Sequence, residues 1–286
     1  MYAITGITGK VGGAVARNLL AAGQPVRAVV RDAAKGSFWA DKGCEVAIAE
    51  MEDAQALTRA FNGATGVFVL PPSEFDPQPG FPEARAVIGA VRQALDAARP
   101  ARAVCLSTVG AQAAQPNLLS QRTLMEEALA TLPLPVTFLR PAWFLENLAW
   151  DIGQAREQGV LSSYLQPLER AVPMVATADV GRVAAELLMQ PGEPPRIVEL
   201  EGPQRLSQHD IAAALSAVLG RAVQARAVPR ETWGAVFLAQ GMRDPVPRIQ
   251  MLDGFNEGWI TFAGGDADVS KGTVGVADVL RSLAAS

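Results

Sequence analysis

The residues with the most chemical content stand at the start of the chain. Gly6-Ile7-Thr8-Gly9-Lys10-Val11-Gly12 is a G-x-x-G-x-x-G run. A strand pattern, Tyr2 to Thr5, precedes it, and helical apolar spacing (Val11, Val15, Leu19) follows. In that setting each glycine has a physical task. Gly6 permits a sharp strand-to-helix turn, Gly9 lets a pyrophosphate approach the backbone, and Gly12 lets the helix sit close to the sheet. The N–H groups and positive dipole of the helix start then favour phosphate. The expected ligands here are Gly6, Thr8, Gly9, Lys10, Val11 and Gly12. At the end of the next strand, Val30-Arg31-Asp32 offers two ribose chemistries. A carboxylate there binds the 2′-hydroxyl of NAD, whereas a guanidinium accepts the 2′-phosphate of NADP. Arg31 stands first, and Lys35 and Lys10 add charge nearby, so NADP(H) is expected over NAD(H).

The elements that must position these groups alternate strictly. After Val26–Val30 comes a short segment with Trp and Ala, then a third strand over 45–49. Asp53 caps a helix that buries Leu57 and Phe61 and stops at Gly63. Residues 66–70 are a fourth strand, 73–80 a Pro-rich loop, and Pro82 opens a long helix with Val87, Val91 and Leu95 inward. Strands at 103–106 and 136–139 flank a helix over 117–132. Strand and helix in turn predict an α/β fold with a doubly wound parallel sheet, its strands apolar throughout because helices cover both faces. After Pro141 the rhythm breaks. Residues 197–200 form a late strand that returns to the sheet, Ser207-Gln208-His209-Asp210 a capping box, and 230–241 and 246–255 helices. The chain is therefore divided into a dinucleotide-binding domain, 1–141, and a smaller, mostly helical C-terminal substrate-side region, 142–286, interleaved with the main sheet.

Composition excludes several classes. A 49% hydrophobic and 19% charged chain of 286 residues can build a core without disulfides. Net charge is −4 with no Lys or Arg run, so no nucleic-acid footprint is expected. Two isolated cysteines, Cys44 and Cys105, fit a reducing compartment, and a lone histidine, His209, argues against a His-rich metal site. No leader pattern opens the chain and no apolar run reaches membrane-spanning length, so a cytoplasmic location without membrane contact is expected. His209 reads as a helix-terminal polar residue, Cys105 as core, and Arg122 with Glu126 as an i, i+4 surface pair.

Four stretches together carry a resemblance: Thr5 to Gly12, Val29-Val30-Arg31-Asp32, Leu106-Ser107-Thr108-Val109-Gly110-Ala111, and Leu139-Arg140-Pro141-Ala142-Trp143-Phe144-Leu145-Glu146-Asn147. With Ala178-Asp179-Val180-Gly181 and Leu200-Glu201-Gly202-Pro203 they cover nearly the whole chain, which resembles the NmrA-like family, an atypical branch of the short-chain dehydrogenase/reductase superfamily. The resemblance implies a Rossmann domain binding NAD(P) with a C-terminal part closing a substrate cleft. It implies that Glu50 lies near the adenine, that Leu70, Pro71 and Pro72 pass the ribose, and that Ser107 and Thr108 lie beside the nicotinamide. Such families include NADPH-dependent quinone and dye reductases, and redox sensors with little turnover.

One departure bears on the reaction. Typical short-chain dehydrogenases use Tyr-x-x-x-Lys, but the only tyrosines are Tyr2 and Tyr164, followed four residues on by Gly6 and Leu168. The matching positions carry Leu118 and Arg122; Arg122 can hold ribose hydroxyls but is no base near neutral pH. No catalytic side chain is named. The reading is an NAD(P)H-dependent oxidoreductase acting on a quinone-like or conjugated small molecule by direct hydride transfer. A quinone fits because its reduced form is a weakly basic phenolate that water protonates. Trp143, Phe144 and Asn147 are expected in the substrate pocket. The alternatives are an NADP(H)-binding sensor with a regulatory protein partner and, further off, a sugar-nucleotide epimerase. A homodimer is left open.

Overall fold

The computed structural model describes residues 1–265 and 268–285. Its first half runs β1 (Tyr2–Ile4), α1 (Lys10–Ala21), β2 (Val26–Val30), α2 (Ala33–Ala40), β3 (Glu45–Ile48), α3 (Ala54–Phe61), β4 (Gly66–Val69), α4 (Pro82–Ala98), β5 (Arg102–Leu106), α5 (Ser120–Leu129) and β6 (Val136–Pro141). The second half adds β7 (Trp143–Phe144), α6 (Ile152–Gln158), β8 (Val160–Ser163), β9 (Met174–Val175), α7 (Thr177–Met189), β10 (Ile197–Glu201), α8 (Gln208–Leu219), β11 (Gln224–Ala227), α9 (Trp233–Ala239), α10 (Val246–Glu257), β12 (Ser270–Lys271) and α11 (Val276–Ala284).

Eight strands form one wholly parallel sheet in the order β12-β10-β6-β5-β4-β1-β2-β3. The chain winds outward in both directions from the β1–β4 boundary, which opens a crevice at the carboxyl ends of those strands. Apolar strands follow from burial on both faces. In β1, Tyr2 and Ile4 join one core while Ala3 joins the other; in β5, Val104 and Leu106 oppose Ala103 and Cys105. Helices α3, α4 and α5 cover the second core, and α1 and α7 the first. Where α1 meets α7, a Cβ on Gly181 would lie 2.3 Å from the Ala14 Cβ, so only glycine permits this approach.

The late strand returns to the sheet as expected: β10 pairs with β6, Val198 opposite Leu139. The second half contributes more than that. The two-residue β12 extends the sheet edge beyond β10, and α7, not foreseen from sequence, supplies the cover over α1. The buried Asp179 of α7 accepts the N–H groups of Thr273 and Val274, at 2.9 and 2.8 Å, which pins the link from β12 to α11. The short segment with Trp and Ala after β2 holds the helix α2. The helix expected over 117–132 is shorter, because Asn117 accepts the Leu119 N–H in a turn that precedes α5. Similarly, 230–241 opens with a 3-10 turn before α9. No described helix is long and apolar enough to cross a membrane.

Candidate active site

The carboxyl edge of the sheet brings the expected residues into one row. The glycine turn after β1 sits at the crevice. Gly6 adopts φ +61°, a left-handed conformation, and its carbonyl accepts the Gly9 N–H at 3.0 Å. Gly12 fits against the turn itself rather than the sheet: its Cβ would lie 2.3 Å from the Gly6 oxygen. Gly9 caps α1 with extended backbone and no side-chain cap, and a Cβ there would meet only the Gly6 oxygen, at 3.3 Å. Thr8, Gly9 and Lys10 are exposed, whereas the Val11 side chain is buried and offers only its backbone. The turn is thus a bare cradle at a helix start, and it fits a pyrophosphate. Thr5, which sequence reasoning passed over as a site residue, fastens this turn to β4. Its buried hydroxyl donates to the Phe68 carbonyl at 3.1 Å and accepts the Leu70 N–H at 2.8 Å. Leu70 then closes against Gly6.

At the end of β2 the two ribose candidates separate. The Asp32 carboxylate caps α2, accepting the Ala34 N–H at 2.9 Å. Arg31 and Lys35 are exposed and make no side-chain hydrogen bond or ion pair with any described residue. Glu50 lies exposed after β3.

After β4, the Pro71–Gly80 loop is fastened at three points. Arg122 donates to the Pro71 carbonyl at 3.0 Å and to the Ser73 hydroxyl at 2.6 Å. Gln121 donates to the Glu74 carbonyl at 2.8 Å. The Asp76 carboxylate accepts the Arg243 and Asp244 N–H groups and the Arg243 guanidinium, bridging to the link between α9 and α10. The Arg243 hydrogen bond holds the Asp76 carboxyl at about 2, so this fastening is intact at neutral pH. Burial lowers the Arg122 guanidinium to about 10, still cationic at neutral pH.

Arg122 and Glu126 do not form the expected surface pair. Helix α5 packs so that Arg122 reaches the β4 loop while Glu126 turns into the interior. There Arg140 of β6 meets Glu126 through two hydrogen bonds, at 2.9 and 2.6 Å. Arg140 also donates to Gln112 at 3.1 Å and lies 3.5 Å from Glu199 of β10. Glu199 in turn accepts the Ala263 and Gly264 N–H groups at 2.8 and 2.9 Å. Burial opposes the charge on Arg140, but the Glu126 and Glu199 carboxylates outweigh it and hold the guanidinium above its ordinary value. The network ends at the site: the Ser107 hydroxyl, after β5, donates to Glu126. With its proton engaged, the buried Ser107 hydroxyl keeps only acceptor capacity, and Thr108 after it is half-buried. Burial, then the Glu126 charge, pushes the neighbouring Cys105 thiol up, so it is inert core as expected.

Beyond β6, Trp143 and Phe144 form β7 beside β9, half-buried, and Trp143 stands edge-on to Phe255 at 5.2 Å. Glu146 caps α7, its carboxylate accepting the Thr177 N–H at 2.9 Å and the Thr177 hydroxyl at 2.6 Å. Asn147, half-buried in the following 3-10 turn, makes no side-chain hydrogen bond with any described residue; it caps nothing. His209 is exposed in the first turn of α8, 3.4 Å from Glu169.

Known proteins match this architecture along its length. The chain is 29% identical over 264 residues to the NAD(P)H azoreductase of Xenophilus azovorans, covering 90% of this chain and 85% of that protein. It is 27% identical over 246 residues to quinone oxidoreductase 2 of Escherichia coli (strain K12), covering 85% and 83%. The fold superposes on the NADPH-dependent quinone oxidoreductase of Escherichia coli, solved with NADPH, with a TM-score of 0.83 at 24% identity, over 99% of each chain. The model of the NmrA-like family matches residues 2–251, from the first strand into the first half of α10. By that match, and by the parallel sheet and glycine turn it spans, the chain belongs to the NmrA-like family.

Proposed function

We propose that the protein is an NADPH-dependent reductase of quinone-like or other planar, conjugated acceptors. The observation that carries this reading is the division of labour along the sheet edge. A glycine cradle and an available guanidinium lie at one end, and an aromatic rim with an unpartnered amide at the other. The azoreductase and quinone oxidoreductase relatives support the same chemistry. The dinucleotide, when bound, supplies a hydride. The chain's own part is positioning. Gly9 leaves room for the pyrophosphate; Arg31 pairs with the 2′-phosphate; Ser107 offers an acceptor oxygen beside the nicotinamide; Trp143 and Phe144 hold a flat ring. Asn147 orients an acceptor oxygen. Leu118 and Arg122, where a Tyr and a Lys act in typical relatives of the superfamily, provide no acid, and a quinone needs none because its reduced oxygen is weakly basic.

Cofactor choice follows from Arg31. A charge-assisted contact of about 1.5–3 kcal/mol gives a roughly tenfold to hundredfold preference for NADPH over NADH. Arg31→Ala is expected to remove most of it and leave NADH affinity nearly unchanged, as read by equilibrium titration with both dinucleotides. Equal affinities in the wild type would overturn the assignment.

The substrate side is tested separately. Phe144→Ala and Asn147→Ala should each lower quinone turnover about tenfold or more while NADPH affinity stays within a few-fold, since each removes positioning at the acceptor only. Steady NADPH oxidation untouched by both substitutions would place the chemistry outside this cleft. A protein that oxidises no NADPH, and instead binds a partner according to which nucleotide it holds, would be a sensor.

A further inference from the structure

Helix α10 joins two parts of the cleft wall. Near its start, the Pro247 carbonyl accepts the Leu118 N–H at 2.9 Å, at the position where typical relatives carry their tyrosine acid. Near its end, Phe255 meets Trp143. Arg248 follows the first anchor and shares a helix face with Leu252 and Phe255, four and seven residues on. Its guanidinium stacks on the Phe237 ring, with Cζ 4.3 Å from the centroid, and lies 3.8 Å from the Met242 sulfur. The side chain is half-buried, and burial lowers it from its ordinary value.

No carboxylate among the described residues pairs with this cation. Asp244, one turn earlier, turns its Oδ1 to the Val246 N–H at 3.0 Å. Asp253 is engaged by Arg230 through two contacts of 2.6 Å. The other polar group that acts on Arg248 is the Tyr164 phenol, whose ring packs 5.1 Å from Phe237 and 5.6 Å from Trp233. The Tyr164 hydroxyl makes no hydrogen bond with any described residue. Arg248 and Tyr164 thus pack on the same Phe237 ring, and among the described residues the hydrogen-bond partner given for the guanidinium is a thioether, a weak acceptor. A half-buried guanidinium without a carboxylate partner among the described residues keeps its charge facing solvent, where an anion can take the place of water.

We propose that Arg248 and Tyr164 form an anion-recognition subsite of the substrate cleft, suited to aromatic acceptors that carry a carboxylate or sulfonate. The guanidinium fork would engage two anionic oxygens, the phenol would donate a third hydrogen bond, and the ring system would lie toward Trp143 and Phe255. The subsite deepens the reductase reading and rests on it for the identity of the ligand as substrate.

Equilibrium binding to the full-length protein with NADP+ present tests it without turnover. The probes are naphthalene-2-sulfonate and its near-isosteric neutral analogue naphthalene-2-sulfonamide. Wild type should prefer the sulfonate by about tenfold or more, the scale of a charge-assisted contact. Arg248→Met should abolish that preference with sulfonamide affinity within about twofold, and Arg248→Lys should keep part of it. Equal affinities for the two probes in wild type, or undiminished sulfonate binding in Arg248→Met, would overturn the subsite. If Arg248→Met does not fold, the wild-type comparison decides alone. Absence of quinone turnover would count against the reductase reading and leave this binding result standing.

Discussion

Gly9→Val is expected to eliminate NADPH binding while the protein keeps its fold. The backbone at Gly9, φ −90° and ψ 177°, is one that valine adopts readily. The only described atom near its Cβ position is the Gly6 oxygen at 3.3 Å, a tight contact that small shifts relieve. What the added isopropyl group fills is the space above the bare helix start. A pyrophosphate needs that space to reach the N–H groups of α1, so affinity should fall by about a hundredfold or more, roughly 3 kcal/mol. Gly12 behaves differently. Its Cβ would stand 2.3 Å from one backbone atom and 2.6 Å from another, so Gly12→Ala must distort the turn and lower stability as well. Thermal unfolding alongside nucleotide titration separates the two outcomes. A Gly9→Val protein that binds NADPH like wild type would move the pyrophosphate away from this turn.

Arg140→Ala should be the most destabilising single change near the site, by about 3–5 kcal/mol in urea unfolding. The Arg140 side chain is 5% exposed, and its removal strands Glu126 and Glu199, whose side chains are 12% and 6% exposed. Replacing Arg140 and Glu126 together by methionine should recover part of the loss, because one stranded carboxylate disappears with its partner. If Arg140→Ala loses less than about 1 kcal/mol, the network is not a closed buried unit. The same network carries the loss to the cleft. Ser107 is held by Glu126, so a loosened Glu126 should also weaken the order of Ser107.

Much of this molecule is legible in the sequence, for physical reasons. Apolar strand runs and helical spacing define β1 to β6 because both faces of a parallel sheet are buried, and the glycine turn marks the crevice because few residues tolerate its backbone. Pairings between distant residues are not legible. Residues 122 and 126 have the spacing of a surface pair, yet α5 directs them to different neighbours, Ser73 and Arg140. Nothing periodic records that choice. Asp32 reads in sequence as a ribose candidate, whereas the structure uses its carboxylate as the cap of α2. The strand β12 is too short to carry a pattern. The Arg-Pro-x-x-Phe-x-Glu-Asn stretch was recognisable, but its charged members proved to be architectural: Arg140 serves the buried network and Glu146 caps α7. Asn147 is the member whose amide makes no side-chain hydrogen bond with any described residue, and the proposed function gives it the acceptor.

The central claim is turnover, and the most direct measurement is NADPH consumption by the purified wild-type protein with a quinone under anaerobic conditions, with hydroquinone quantified in parallel. The account predicts steady oxidation of NADPH matched one to one by hydroquinone formed, with NADH a poorer donor. Tight NADPH binding without oxidation by any quinone, azo dye or enone would contradict it.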